Sequence, residues 1–188
     1  RQLLNRIVEH SQRGGHVAIV DGAYDVPHDG HPWYLRGCRI EAAKRHFGKE
    51  FEQADRATKQ ALVADDVTML IVTVDADFKV ARKKGYIPDK GNVSRPIYPW
   101  LARANMVGGY TIPTGAGKYR PVVDIITVEG DPQHHGTALE SHLGFGRELY
   151  RLGVLGTWFI YGEHDETAQE AINIAGDIVR IISEKVMC

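Results

Sequence analysis

Cysteine is scarce in this chain, with only Cys38 and Cys188 among its 188 residues. Two thiols so far apart in sequence do not make a disulfide framework, and we therefore expect a reducing, cytoplasmic setting. Long apolar runs are missing as well, and none reaches the roughly 18 residues that a membrane-spanning helix needs. The sequence therefore predicts no membrane partner.

An excess of charge of either sign is also missing. The formal net charge is -1 and the isoelectric point is about 6.8, so no basic surplus is present to bind a phosphate backbone. We expect no nucleic-acid partner. Composition shifts, internal repeats and low-complexity tracts do not occur either, and a content of 43% hydrophobic residues suffices for one core. The sequence predicts one domain across residues 1–188.

Helical and strand patterns alternate along the chain. The apolar run "VTMLIVTV" at 67–74 is typical of a parallel strand covered on both faces. Strands are predicted at 16–20, 67–74, 122–128, 153–162 and 177–183, with helices from Pro32 to Gly48 and at 49–65, 99–106, 136–151 and 166–176. Residues 108–121 are predicted to be an excursion of turns. The alternation predicts an α/β fold with a Rossmann-like, doubly wound, five-stranded parallel sheet and helices on both faces.

One polar segment, "GAYDVPHDGH" at 22–31, joins the first predicted strand to the following helix. A turn in this position directs backbone N–H groups and the positive end of a helix into the crevice of the sheet, which favours phosphate. Gly22 and Gly30 allow close backbone approach. His28 and His31 add compact side-chain donors that can be cationic near a phosphate. The segment is suited to a triphosphate.

The same segment resembles the signature of the His-x-Gly-His nucleotidyltransferase superfamily, in which a Gly-x-Phe-Asp stretch precedes His-x-Gly-His. Tyr24 stands where Phe is usual, and an aromatic ring is kept. The resemblance implies that His28 and His31 are catalytic. It also implies a nucleotide-binding set made of Gly22, Ala23, Tyr24, Asp25, His28, Gly30 and His31.

A second stretch, "VTVDADFKVARKKG" followed by "KGNVSRPIYPWLARANMV", is similar to a block of two cytidylyltransferase-like branches. These are the glycerol-3-phosphate cytidylyltransferases and the heptose-phosphate adenylyltransferases. The matching positions are Asp77, Lys90, Gly91, Arg95, Pro96 and Arg103. The resemblance implies that Lys90, Arg95 and Arg103 bind a substrate phosphate and that Arg95 is also catalytic. Pro96 restricts the backbone of Arg95 to extended conformations, which helps to aim it.

The resemblance implies direct in-line transfer of a nucleoside monophosphate from a triphosphate to a small phosphorylated acceptor, with release of pyrophosphate. CTP is slightly favoured over ATP, and Mg²⁺ bridges the triphosphate oxygens. We expect no metal held by protein ligands, because no Cys/His set has structural-zinc spacing. Homodimers are common in the family, so a homodimer is a possible assembly.

The resemblance covers residues 16 to about 107 well, and residues 122–183 only in their rhythm of strands and helices. A Ser/Thr-rich motif that follows the last strand in the family is missing from "DIVRIISEKVMC". Either that motif lies beyond Cys188 in a longer chain, or it has been lost. The second option leaves a non-catalytic nucleotide- or phosphate-binding module, or the regulatory half of a larger protein. The 108–121 excursion also departs from these branches, and we expect it to cover the acceptor site.

Overall fold

The structure, a computed structural model, describes residues 2–84, 95–115, 117–129, 138–154, 157–162 and 179–182. Helices and strands alternate along this part of the chain. The helices are α1 (Gln2–Gln12), α2 (Gly30–Phe47), α3 (Lys49–Gln53), α4 (Arg56–Val63), α5 (Asp77–Lys84), α6 (Trp100–Gly108) and α7 (Ala138–Arg151). The strands are β1 (His16–Gly22), β2 (Thr68–Asp75), β3 (Thr111–Gly115), β4 (Lys118–Pro121), β5 (Ile125–Glu129), β6 (Thr157–Gly162) and β7 (Val179–Ile182).

A parallel sheet organises the molecule, with neighbouring strands in the order β5-β2-β1-β6. Strand β7 pairs in parallel with the outer side of β6. Because β1 and β2 are in register from His16 opposite Thr68 to Gly22 opposite Val74, their carboxyl ends finish side by side. The predicted α/β fold with a parallel sheet is confirmed.

Alternate residues of β1 enter two separate cores. Val17 and Ile19 pack in one core with Ile7 of α1 and Leu149 of α7. Ala18 and Val20 belong to the other core, together with side chains of α2, α4 and α6. Since successive side chains of a strand point to opposite faces, the sheet carries helices on each side.

Residues 49–65 differ from the single helix predicted there. Helix α3 ends at Gln53, and Asp55 begins α4 by accepting a hydrogen bond from the backbone N–H of Thr58 at 2.7 Å. An aspartate in this position satisfies one of the N–H groups that a helix start leaves unpaired. The prediction was wrong because it relied on the absence of glycine and proline and overlooked this cap.

Residues 108–121 were predicted to be an excursion of turns, but most of them belong to the two strands of an antiparallel hairpin, β3 and β4. Strands β3 and β4 pair antiparallel, and Ile112 is buried in the core beside α2. Arg120 ties the hairpin to the amino end of β2 by donating to the carbonyl of Ala64 at 2.6 Å. The hairpin therefore lies at the amino edge of the sheet and does not cover the carboxyl edge, where the acceptor site was expected.

Arg39 of α2 binds several segments of the same amino edge from within the core. Its side chain is fully buried and donates to four backbone carbonyl groups and to the Asp124 carboxylate, which is 2.6 Å away. The four carbonyl acceptors belong to Val63, Val122, Asp65 and Thr68. A buried guanidinium is tolerated when its donors are bonded in this way.

Several predicted boundaries shift by a few residues. Helix α2 begins at Gly30 and not at Pro32, and it ends at Phe47 with Gly48, the residue predicted to end it, as the C-cap at a φ of 52°. The predicted strands at 122–128 and 153–162 begin later, at Ile125 and Thr157. The helix predicted at 166–176 lies outside the described residues. No helix in the described part of the chain has the length and apolar character to cross a membrane.

Candidate functional site

The candidate site is the turn after β1, at the carboxyl edge of the sheet. Tyr24 adopts a positive φ of 47°, which is rare for a bulky residue and strains the backbone. Its ring folds back over Gly22, where an added Cβ would lie 2.9 Å from a ring carbon. The ring is 5% exposed, burial raises the pKa of its hydroxyl, and no described residue bonds that hydroxyl. Gly22 is thus required by close approach of Tyr24.

His28, Gly30 and His31 lie together where α2 begins. The imidazole rings of His28 and His31 are 4.0 Å apart between centroids. His31 also makes an edge contact with the Tyr24 ring, at 5.2 Å between centroids. An added Cβ on Gly30 would lie 2.8 Å from the His28 ring. The glycine between the histidines therefore leaves room for the first imidazole to lie against the helix start.

His28 takes over the role of a helix cap. The N-cap residue, Asp29, makes no side-chain cap hydrogen bond, whereas the backbone N–H of Gly30 donates to His28 Nδ1 at 3.1 Å. An imidazole nitrogen that accepts carries no proton, so in this arrangement the proton of a neutral ring is on Nε2. His28 is exposed, and Nε2–H remains as a donor for a ligand.

Asp25 is a bridge inside the site and not an open ligand-binding group. It is 3% exposed, and its carboxylate accepts from the backbone N–H of Ile97 at 2.7 Å and of Tyr98 at 3.1 Å. Its other oxygen accepts from Arg95 at 2.8 Å. Burial by itself would raise the pKa of Asp25, but these hydrogen bonds outweigh it and lower the pKa. Asp25 thereby holds residues 95–98 against the turn.

Arg95 keeps part of its guanidinium available at this edge. Its side chain is 33% exposed, and its only hydrogen bond within the described ranges goes to Asp25. Since one carboxylate oxygen occupies one nitrogen, other donors of the planar group are left for an anion. Through its bond to Asp25, Arg95 is held at the turn that also carries the two histidines.

Arg103 occupies a different position from the one expected. Its side chain is fully buried, and it donates to the carbonyl groups of Ala23, Tyr98 and Asp75. It also donates to the Asp77 carboxylate at 2.6 Å. With its donors directed inward, the guanidinium does not present a face to a substrate phosphate. Arg103 instead joins the turn after β1 to the end of β2.

Sequence reasoning missed one ion pair at this edge. Lys79 Nζ of α5 lies 2.7 Å from a carboxylate oxygen of Asp75, and the two side chains are 16% and 3% exposed. The signal was present, because an aspartate that ends a buried strand is followed four residues later by a lysine at the start of a helix. The pair places a lysine beside Asp75, whose backbone carbonyl accepts from Arg103.

The described carboxylates do not form a metal site of their own. Asp25, Asp75 and Asp77 are each paired with a cation. Among the residues described, no three His, Cys, Asp or Glu side chains are grouped so as to hold a metal ion. Lys90 and Gly91, the remaining predicted positions, lie outside the described residues.

Comparison with known proteins adds no relative to this picture. No protein-family model matches the chain, and no curated protein matches it. The interpretation of the site therefore rests on the geometry above.

Proposed function

We propose that this chain is a nucleotidyltransferase that moves a nucleoside monophosphate, CMP in preference to AMP, from a triphosphate to a small phosphorylated acceptor. The proposal includes a five-stranded, doubly wound, Rossmann-like sheet with β7 as its fifth strand. In such sheets, ligands bind at the carboxyl ends of the strands where the strand order reverses. Here the reversal lies between β1 and β6, and residues 22–31 follow β1. The observation that carries the proposal is the pair of imidazoles at the start of α2.

The proposed reaction is an in-line displacement. An oxygen of the acceptor phosphate attacks the α-phosphorus, the bond from that phosphorus to the bridging oxygen breaks, and pyrophosphate leaves with the bond electrons. No side chain forms a covalent intermediate, so the protein has to supply position and charge compensation. His28 donates from Nε2, and His31 lies 4.0 Å away, ring to ring, on the same helix start. Both stabilise the phosphoryl oxygens as charge develops.

Arg95 and Arg103 have different roles in the proposed reaction. Arg95 neutralises a phosphate group with the donors that Asp25 leaves unbonded. Arg103 is a positioning residue, since it binds the carbonyl of Ala23 beside the strained Tyr24. Lys90 is proposed to bind the acceptor phosphate. Mg²⁺ would neutralise triphosphate charge when bound, and since Asp25, Asp75 and Asp77 are each paired with a cation, we propose that it would be held by the triphosphate itself.

Thermal unfolding with nucleotides tests the binding half of the proposal. The protein is melted with Mg²⁺ and each of ATP, CTP, GTP and UTP in turn. A nucleotide at a hundred times its dissociation constant adds about 2.7 kcal/mol to the free energy of unfolding. We expect CTP to raise the melting temperature by several degrees and to do so much less in His28→Ala. The matched control is Asp29→Ala, a neighbouring exposed residue without a side-chain cap bond, which should keep the shift.

A rate measurement tests the catalytic half. Pyrophosphate release is followed with the stabilising nucleotide and a panel of alcohol and sugar phosphates as acceptors. His28→Ala and His31→Ala should each slow the reaction about 10²- to 10³-fold, as is typical when one well-aimed donor is removed. A variant that keeps more than about a third of the rate would refute the role. Nucleotide binding with no pyrophosphate release from the unmodified chain would support a non-catalytic binding module.

A further inference from the structure

A second concave surface lies away from the histidines, between α2, α3, α4 and the hairpin strand β3. Its volume is about 610 Å³, within the range of small-molecule sites. The apolar floor includes Phe51, Val63 and Ile112, which are 5%, 8% and 2% exposed. We name this surface the α4 groove. None of the proposed nucleotide-site residues lines it.

Three cations surround the apolar floor. They are Arg36 of α2 and Arg56 and Lys59 of α4, and no acidic side chain lines the groove with them. Within the described ranges, none of the three forms a salt bridge, and Lys59 is close enough to Asp55, the residue that caps α4, to help lower the pKa of that carboxyl. Cations outside salt bridges around an apolar floor favour an anion, because the ligand then replaces water on the charges and covers the apolar surface at the same time.

Lys59 connects the two parts of the groove. Its Nζ lies 6.0 Å from the centroid of the Phe51 ring, and its aliphatic stem extends the apolar surface toward the charge. Arg36 has a similar arrangement, with its guanidinium carbon 6.0 Å from the Trp33 ring centroid. A ligand with an aromatic ring and an anionic group would therefore contact the apolar floor and the cations at the same time.

We propose that the α4 groove binds a small aromatic anion, an aryl phosphate or aryl carboxylate. The aromatic body lies on Phe51, Val63 and Ile112, and the anionic group is bound by Arg56 and Lys59. This site is separate from the proposed nucleotide site and does not depend on it.

Titration with 1-naphthyl phosphate tests the proposal, with inorganic phosphate and 1-naphthol as the two halves of the probe. We expect 1-naphthyl phosphate to bind more tightly than either half. Arg56→Gln combined with Lys59→Gln should weaken that binding by at least about tenfold, since charge-assisted hydrogen bonds are lost. The matched control is Arg6→Gln combined with Arg147→Gln, which removes the same charge from α1 and α7 on the other face of the sheet.

Two more variants test whether 1-naphthyl phosphate binds in the α4 groove and not elsewhere. Arg36→Gln alone should weaken binding by a smaller factor, while His28→Ala should leave it unchanged. The proposal is overturned if 1-naphthyl phosphate does not bind, if Arg56→Gln with Lys59→Gln binds it as well as the control, or if inorganic phosphate binds equally well. It is also overturned if His28→Ala abolishes binding, because the probe would then occupy the nucleotide site. Loss of CTP stabilisation alone would leave the groove proposal standing.

Discussion

A buried arginine that binds backbone carbonyl groups occurs at both edges of the sheet, but its role differs between the two. At the amino edge Arg39 is fully buried and binds carbonyl groups from several segments, and at the carboxyl edge Arg103 is fully buried and does the same. The acidic partners differ, since the side chain of Asp124 is 17% exposed and that of Asp77 is 41% exposed. At the amino edge the acidic partner of the buried arginine is mostly covered, whereas the carboxyl edge keeps His28 and part of Arg95 exposed.

The difference teaches what a buried arginine contributes at each place. Around Arg39 the Asp124 carboxylate also accepts from Arg120 and from the backbone N–H of Leu70, so the charges compensate each other. Around Arg103 the bonded carbonyls include that of Ala23, next to the strained Tyr24. One network stabilises the fold, and the other fixes a turn whose outer face stays open.

Arg39→Met is expected to have the largest effect on stability. It leaves the Asp124 carboxylate and four backbone carbonyls without their buried donor, and breaking such a pair costs about 3 to 5 kcal/mol. Urea unfolding measures the loss. Arg45→Met on the same helix is the control, because its pair with Glu41 is exposed and contributes about 0.5 kcal/mol or less. Equal losses for both variants would contradict the proposed role of the Arg39 network.

Arg103→Met should cost less, about 1 to 3 kcal/mol for carbonyls left unsatisfied, because Asp77 can stay hydrated at 41% exposure. The variant should also lose most of the nucleotide-dependent thermal shift, since the turn at Ala23 is released. Arg82→Met, at an exposed position of α5, is the control. A destabilised variant that still showed the full nucleotide shift would separate Arg103 from the site.

Gly15 and Gly22, at the two ends of β1, extend the comparison between the amino and carboxyl edges of the sheet. A Cβ on Gly15 would lie 2.3 Å from the ring of His10, which is itself buried and bonded to the carbonyl of Val67 at 3.0 Å. A Cβ on Gly22 would lie 2.9 Å from the Tyr24 ring. Overpacking of this kind costs about 1 to 3 kcal/mol, and we expect Gly15→Ala to be near the upper end and Gly22→Ala near the lower end.

Measurement of both glycine variants separates stability from binding. Urea unfolding should rank Gly15→Ala as the less stable, and the nucleotide thermal shift should be reduced only in Gly22→Ala, because only that variant displaces the ring in contact with His31. Gly48→Ala serves as a reference for backbone strain alone, since its Cβ would meet nothing within 4 Å and its φ is positive. The reverse ranking would contradict the packing described for His10.

The sequence predicted the carboxyl edge better than the amino edge, for physical reasons. The spacing of His28, Gly30 and His31 is local, so a few consecutive residues are enough to recognise the motif. Arg39, in contrast, binds groups 24 to 85 residues away in sequence, and nothing near it in the chain marks it as buried. The same limit explains Arg103, whose place in a motif predicted a ligand contact while its partners are carbonyls of distant segments. The hairpin was missed because its Gly and Pro residues are as typical of turns as of short strands.

We expect acid to destabilise the two edges of the sheet at different pH values. At the amino edge, His16 Nδ1 and His46 Nδ1 are 2.6 Å apart, which leaves room for one proton between them. Burial, and then the neighbouring His46 and His10, lower the pKa of His16 from its ordinary value of 6.5. The unfolded chain therefore binds more protons below pH 6.5, and stability falls as the pH drops through that value.

At the carboxyl edge, the pKa of Asp25 is lowered from 3.8, so its contribution is present above that pH and is lost only as the pH falls below it. Melting temperatures between pH 7.5 and 3 should thus decline in two steps. His46→Gln should reduce the first step only in part, because burial, the largest cause of the lowered pKa of His16, remains, and Arg95→Met should reduce the second. A first step unchanged by His46→Gln would show that other groups at the amino edge govern it.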